Sequence, residues 1–430
     1  MSINNQTLVN LRREFHAWPE PGWAEFVTTA KLIERLEQLG YTVYTGTQVI
    51  KPEFVRGRSQ ATVDKGLAAA RAQGISEDLL ARIGDYTGCM ALVDTGRPGP
   101  VMAMRFDIDS VPVTEATCDC EARKINHRPA AEGFASTNHG YMHACGHDGH
   151  MAIGLGVAQW IMDNLGSLKG KVKLLFQPAE EGVRGARPMA ESGILDDVDY
   201  FACAHLGCDA PTGTIVAAPA DYLCTLKMDL RFIGKPAHAG MNPHLGKNAL
   251  AAACNAAIQL MGISTHGEGM TRVNVGVLKA GEGRNVIPSS AEMQIEVRGA
   301  TEKINNYMVE EATRRAKGVA LGFDVEMELS VVGEAVDFIP DDEMTDLVMA
   351  VANSIPAIKN TQRSYNFNGS DDATVLIKRV QAHGGKAAYF VIGSDLKGGH
   401  HQAEFDIDEE QLYVGYQMFV GIVNKILGNS

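Results

Sequence analysis

The sequence has no stretch apolar and long enough to cross a bilayer. Its longest apolar run, Ala249 to Gly262, is interrupted by Asn255 and Gln259 and falls short of the roughly 20 residues a spanning helix needs. Basic residues are not in excess either: 39 Lys and Arg against 52 Asp and Glu leave a formal charge of −13. That balance argues against nucleic acid or an anionic membrane as a partner. The opening MSINNQTLVNLRREF has no basic segment followed by an apolar core, so no secretory signal is expected. Eight cysteines scattered over 430 residues do not read as a disulfide framework, and a reducing cytoplasm is the expected location. There is no internal repeat and no low-complexity segment. The remainder, 45% apolar and 21% charged, describes a globular chain too long for one core, so two domains are expected.

What the sequence does have is concentrated in TNHGYMHACGHDGHMAIGLG, Thr137 to Gly156. His139, His143, Cys145, His147, Asp148 and His150 share one glycine-rich turn that runs into an apolar, helix-forming segment. A thiolate and an imidazole two residues apart suit a transition metal, and a helix N-terminus favours the anionic form of the cysteine. A polar loop with capping histidines would not need so many ligand types in a dozen residues.

Other chemistry falls at strand ends. PVMAMRFDID delivers Asp107 and Asp109, KVKLLFQPAEEG delivers Glu180 and Glu181, and VDYFACAHLG delivers His205. Catalytic groups of open α/β sheets gather at that edge. Asp107 and Asp109, spaced to lie on one face near a metal loop, are expected to support ligands rather than bind metal. Glu180 and Glu181 sit on a turn where consecutive side chains diverge, so that one can ligate while the other reaches an activated water. Cys118-Asp119-Cys120 lacks a matching pair and reads as loop, and HAWPEPGWAEF, with His16 and Glu20, reads as a tight helix connection. Residues 51–86 are polar and helix-prone and read as a helical insertion.

From about Pro219 the pattern changes to two-fold alternation in TLKMDLRFIG, TRVNVGVLKAG and AEMQIEVRGA, with helical stretches at 247–262 and 301–319. This predicts an α+β unit, one sheet covered on one face. It carries GKPAHAG with His238, GEGRNVIP with Asn285, and the strand-borne Arg298, whose planar fork suits a carboxylate. Past Val336 the chain is expected to return to the first unit and end in GGHHQAEF and a helix.

Together RFDID, MHACGHDGH, QPAEEG, HLG, GKPAHAG, NVIP and the HHxxxF tail resemble the aminoacylase–carboxypeptidase family of co-catalytic metallopeptidases, in its amidohydrolase branch. The resemblance covers essentially the whole chain. It implies an α/β fold in which a mixed-sheet catalytic domain, 1–218 with 335–430, is interrupted by an α+β lid and dimerisation domain, 219–334. It also implies two divalent ions, Mn or Zn, held by Cys145, His147, Glu181, His205 and His401, with Glu180 as general base. His401 is chosen over His400 on its register to Phe405. In the lid, His238 aligns with a residue that reaches into the site of a partner chain, and Asn285 and Arg298 with residues that hold the substrate carboxylate. The implied substrates are N-acyl amino acids, an aromatic acyl group on an acidic amino acid, such as p-aminobenzoyl-glutamate or indole-3-acetyl-aspartate. A homodimer or a heteromer with a homologous chain is implied as well. The rival readings are a thiol hydrolase built on Cys145 and a non-catalytic member of a larger assembly.

Overall fold

The computed structural model describes residues 3–117, 126–367 and 369–428, so the Cys118-Asp119-Cys120 triplet lies outside the described residues. Among the described residues twelve strands form two sheets. The larger has eight: β1 (Thr42–Thr45), β2 (Cys89–Asp94), β3 (Val101–Asp107), β4 (Lys171–Gln177), β5 (Tyr200–Leu206), β6 (Thr214–Val216), β11 (Asn360–Gln362) and β12 (Lys386–Ile392), in the order β1-β2-β4-β3-β5-β12-β6-β11. The smaller has four: β7 (Cys224–Ile233), β8 (Thr271–Ala280), β9 (Ser290–Gly299) and β10 (Glu326–Ala335), in the order β10-β7-β9-β8 and antiparallel throughout.

In the eight-stranded sheet β4, β3, β5 and β12 run parallel, while β1–β2, β2–β4 and β12–β6 are antiparallel. The four parallel strands are near-continuous apolar runs because both faces are covered. Met102, Met104 and Phe106 of β3 face one core, shared with helices Asn5–His16, His147–Asp163 and Glu410–Leu427; Ala103 faces the other, shared with helix Ala373–Ala382. Every residue of His147–Asp163 as far as Ala158 is buried, as expected of a helix apolar on nearly all sides. The result is a mixed α/β fold.

The four-stranded sheet is covered on one face only. Met228, Leu230 and Phe232 of β7 and Met293, Ile295 and Val297 of β9 pack against helices Ala249–Met261 and Glu302–Gly322. By strand alternation, Thr225, Lys227, Glu296 and Arg298 point the other way, toward the eight-stranded layer. That layer comes close enough for the Glu334 N–H to donate to the Val183 carbonyl at 2.7 Å. Gly333 is required there, since a Cβ would sit 2.1 Å from the Gly182 carbonyl oxygen.

Strand β1 gives way to the 3-10 turn Gly46–Gln48, and the helix after the glycine-rich turn starts at His147. The insertion at 51–86 is helical, with helices Gln60–Ala72 and Glu77–Ile83. Strand β10 and helix Ala373–Ala382 were not anticipated.

Candidate metal centre and substrate cleft

The carboxyl ends of β3, β4, β5 and β12 lie at one edge of the large sheet, and each is followed by a loop carrying polar residues. Asp109 organises the first two. Its carboxylate accepts the Glu180 and Glu181 N–H groups, both at 3.0 Å, and its carbonyl accepts from His147 Nδ1 at 2.8 Å. One buried residue thereby fixes the acid turn and the tautomer of His147. His147 opens its helix after Gly146, which takes φ +91°, a left-handed conformation that glycine adopts at no steric cost.

The expected ligands converge. Cys145 Sγ lies 3.5 Å from His205 Nε2, and His401 Nε2 lies 3.1 Å from Glu181 Oε1. Donor atoms of Cys145, His147 and His205, of Cys145, Glu181 and His401, and of His147, Glu180 and Glu181 each fall within 4.8 Å of one another. Glu180 and Glu181 therefore both face the cluster rather than diverging. Asp107 stands behind it, accepting from His150 Nδ1 at 2.6 Å and Arg105 Nη1 at 2.6 Å, with His147 Nε2 at 3.7 Å. The arrangement is held under backbone strain: Ala179, Val183, Cys208, Asp209 and His401 all take φ between +48° and +62°, a region non-glycine residues occupy at a cost.

The electrostatics fit a site that takes cations. Burial, reinforced by Asp371 and Glu181, pushes the Glu180 carboxyl well above its usual range. Burial and Glu181 raise the Cys145 thiol. Against the pull of burial, Asp107 holds the His147 imidazolium well above the usual histidine value. His147 Nε2 is buried with no hydrogen-bond partner, and Glu181 Oε1 has none that is well aligned despite its closeness to His401. Crowded carboxylates, a thiol and an unpaired imidazole nitrogen are the donor set of a divalent metal site.

Two cavities meet at this cluster. One, of about 360 Å³, is lined by Cys145, Glu180, His205 and Arg298; the other, of about 900 Å³, by Val111, Pro112, Val113, Tyr141 and Arg184. Glu181, Gly182, Lys227, Glu296 and His401 line both. Arg298 thus faces the cluster, with Nη2 3.0 Å from Glu296 Oε1. His238 and Asn285 do not: they are exposed, on adjoining loops joined by the Ala239 N–H to the Asn285 carbonyl at 3.0 Å, and line neither cavity. Two neighbours of the cluster were not expected. Cys208 Sγ lies 3.1 Å from His205 Nδ1, and His400 Nδ1 lies 3.6 Å from Cys145 Sγ. Nothing in its local sequence marks Cys208; His400 is marked only by its adjacency to His401.

Residues 103–425 match the peptidase family M20/M25/M40. The chain belongs to that family. It is a hydrolase of amide bonds, in a family that includes a dinuclear metal binding peptidase from Bacillus subtilis similar in structure to this chain (TM-score 0.66, 25% identity, 98% of each chain covered). The chain is 54% identical to a Haemophilus influenzae homolog of one of the subunits of p-aminobenzoyl-glutamate hydrolase, over 99% of its own length and all of that protein. It is 43% identical to the indole-3-acetyl-aspartic acid hydrolase of Enterobacter agglomerans, over 94% and 92% of the two chains. It also superposes on an aminobenzoyl-glutamate utilization protein from Klebsiella pneumoniae with a TM-score of 0.83 and 36% identity, covering 98% and 95% of the two chains.

Proposed function

We propose that the protein hydrolyses the amide bond of N-acyl amino acids, with an aromatic acyl group and an acidic amino acid preferred, as in p-aminobenzoyl-glutamate. Indole-3-acetyl-aspartate is the alternative. The observation that carries this reading is the convergence of Cys145, His147, Glu181, His205 and His401, from separate parts of the chain, beside Glu180 and opposite Arg298 in one cleft. Those five residues would hold two divalent ions, manganese or zinc. When bound, such ions polarise the scissile carbonyl and lower the pKa of an attacking water towards neutrality.

The protein's own groups do the rest. Glu180 takes the proton from the attacking water and returns it to the leaving amine nitrogen. Asp109 keeps that carboxylate aimed at the cluster through the backbone of the turn. Asp107 and Arg105, both buried, fix the groups behind it. Arg298 grips the amino-acid carboxylate, and the apolar rim of the larger cavity, with Tyr141 and Val111–Val113, receives the acyl group. Residues 1–218 and 335–430 act as the catalytic domain and 219–334 as the lid, a division supported by the two separate sheets. His238 and Asn285, exposed and lining neither cavity of their own chain, complete the cleft of a second chain, in a homodimer or beside a homologous protein. Free cysteines at positions 89, 145, 203, 208, 224 and 254 support a reducing, cytoplasmic setting. Among the described residues no helix is long and apolar enough to cross a membrane.

A panel of p-aminobenzoyl-glutamate, indole-3-acetyl-aspartate and hippurate, assayed with manganese- or zinc-loaded protein, tests the reading. Turnover of the acidic conjugates is expected; no cleavage of any of the three contradicts it. Chelation should abolish activity, whereas a thiol hydrolase would survive it.

A further inference from the structure

Glu296 stands directly across from Lys227 in the β7–β9 ladder, a placement in which opposite charges ordinarily pair. Here they do not. Glu296 Oε1 accepts instead from Thr225 Oγ1 and from Arg298 Nη2, each at 3.0 Å. Among the described residues Lys227 is left with no ion pair and no side-chain hydrogen bond. It is half-buried, and it lines both cavities where they meet, across from Glu181 and His401. The other cation of the larger cavity is differently placed, because Arg184 donates to the Glu181 and Gly57 carbonyls.

We propose that Lys227 is a carboxylate-binding site of the cleft, taking the side-chain carboxylate of an acidic amino acid while Arg298 takes the α-carboxylate. This rests on the amidohydrolase reading above and adds to it the group that selects the substrate. Thr225 is the residue paired with Arg298, so Lys227 and Arg298 are diagonal neighbours on one sheet face, roughly 7–8 Å apart at their origins. Two long side chains at that spacing converge on the two carboxylates of one small molecule. Lys227 stands on the wall opposite Glu180, Glu181 and Asp371, an ammonium that no carboxylate of the cleft engages. A neutral analogue leaves that ammonium unpaired in a partly desolvated cleft, and this is how a site discriminates strongly between near-isosteres.

Lys227→Met keeps the aliphatic stem and removes the charge. Metal-loaded wild type and Lys227→Met are to be compared on N-benzoyl-glutamate and N-benzoyl-glutamine, by kcat/KM and, in a Glu180→Gln background, by calorimetric binding of the same two compounds. The wild type is expected to favour the glutamate compound on the order of 10- to 100-fold. Lys227→Met should bring that ratio close to one with metal content and the glutamine values unchanged, and Lys227→Arg should restore part of it. A ratio that survives in Lys227→Met, or equal losses on both compounds, overturns the proposal. If neither compound is cleaved but binding discriminates through Lys227, the hydrolase reading fails while the site stands. If binding does not discriminate, the site falls whatever the turnover.

Discussion

The two walls of the cleft hold their polar groups by different means. On the eight-stranded wall, Asp107, Asp109, His147 and His150 are buried and bonded to one another or to backbone. Their positions are set before any substrate arrives, as metal ligation demands. On the four-stranded wall, Arg298 and Lys227 are half-exposed, on long side chains, with one partner or none among the described residues. On the proposed reading, chemistry is lodged in the rigid wall and recognition in the wall that presents adaptable cations. Substitutions in the first should move metal affinity and kcat; substitutions in the second should move KM and selectivity.

The largest effect expected is from Glu180→Gln, a loss of turnover of about 10²–10⁴-fold with metal content unchanged. Retained turnover with metal still bound would refute the assigned base. Next is Asp109→Ala, which frees the acid turn and the His147 tautomer and should weaken metal binding by roughly 10–100-fold in competition titrations. If metal affinity is unchanged, the rigid wall is not organised by that carboxylate. Arg298→Met should raise KM by about tenfold or more and leave metal affinity untouched. A change in metal affinity would break the division of labour between the walls.

The smallest effect concerns the support behind the rigid wall. His16 bridges Asp148 and Glu115 at 2.7 and 3.0 Å, and His127 also reaches Glu115 at 2.8 Å. Although burial opposes it, His127 and His16 hold Glu115 down to about 2. Burial likewise opposes, but Asp148 and Glu115 raise His16. The Glu115 contribution is present above its unfolded value near 4.5 and lost as pH falls towards 2. The His16 contribution is present below 6.5 and lost as pH rises through its raised folded value. Glu115→Gln should thus destabilise most between about pH 4.5 and 6.5, by roughly 1–3 kcal/mol. A denaturation series with a flat difference across pH would exclude the linkage.

Much of this was legible in the sequence because the signals are local. Apolar strands ending in acids, and ligands two apart in a glycine-rich turn, place Asp107, Cys145, His147, Glu180, Glu181 and His205 at one edge without coordinates. What was not legible depends on contacts between distant segments. Cys208 and His400 meet the cluster only through the folds of their loops. Lys227 on an alternating strand reads as an ordinary solvent-facing lysine until β9 shows that Glu296 is engaged elsewhere. Strands β6 and β11 have three residues each, too few for periodicity. Strand β10 does carry the alternation Met327, Leu329, Val331, a signal that was available. The loops of His238 and Asn285 line neither cavity of their own chain.

Anomalous diffraction from crystals grown with manganese or zinc tests the central claim most directly. Two peaks per chain are expected, within ligand distance of Cys145, His147, Glu181, His205 and His401 and beside Glu180. An empty cavity, or ions bound without Cys145 and His401, would contradict it.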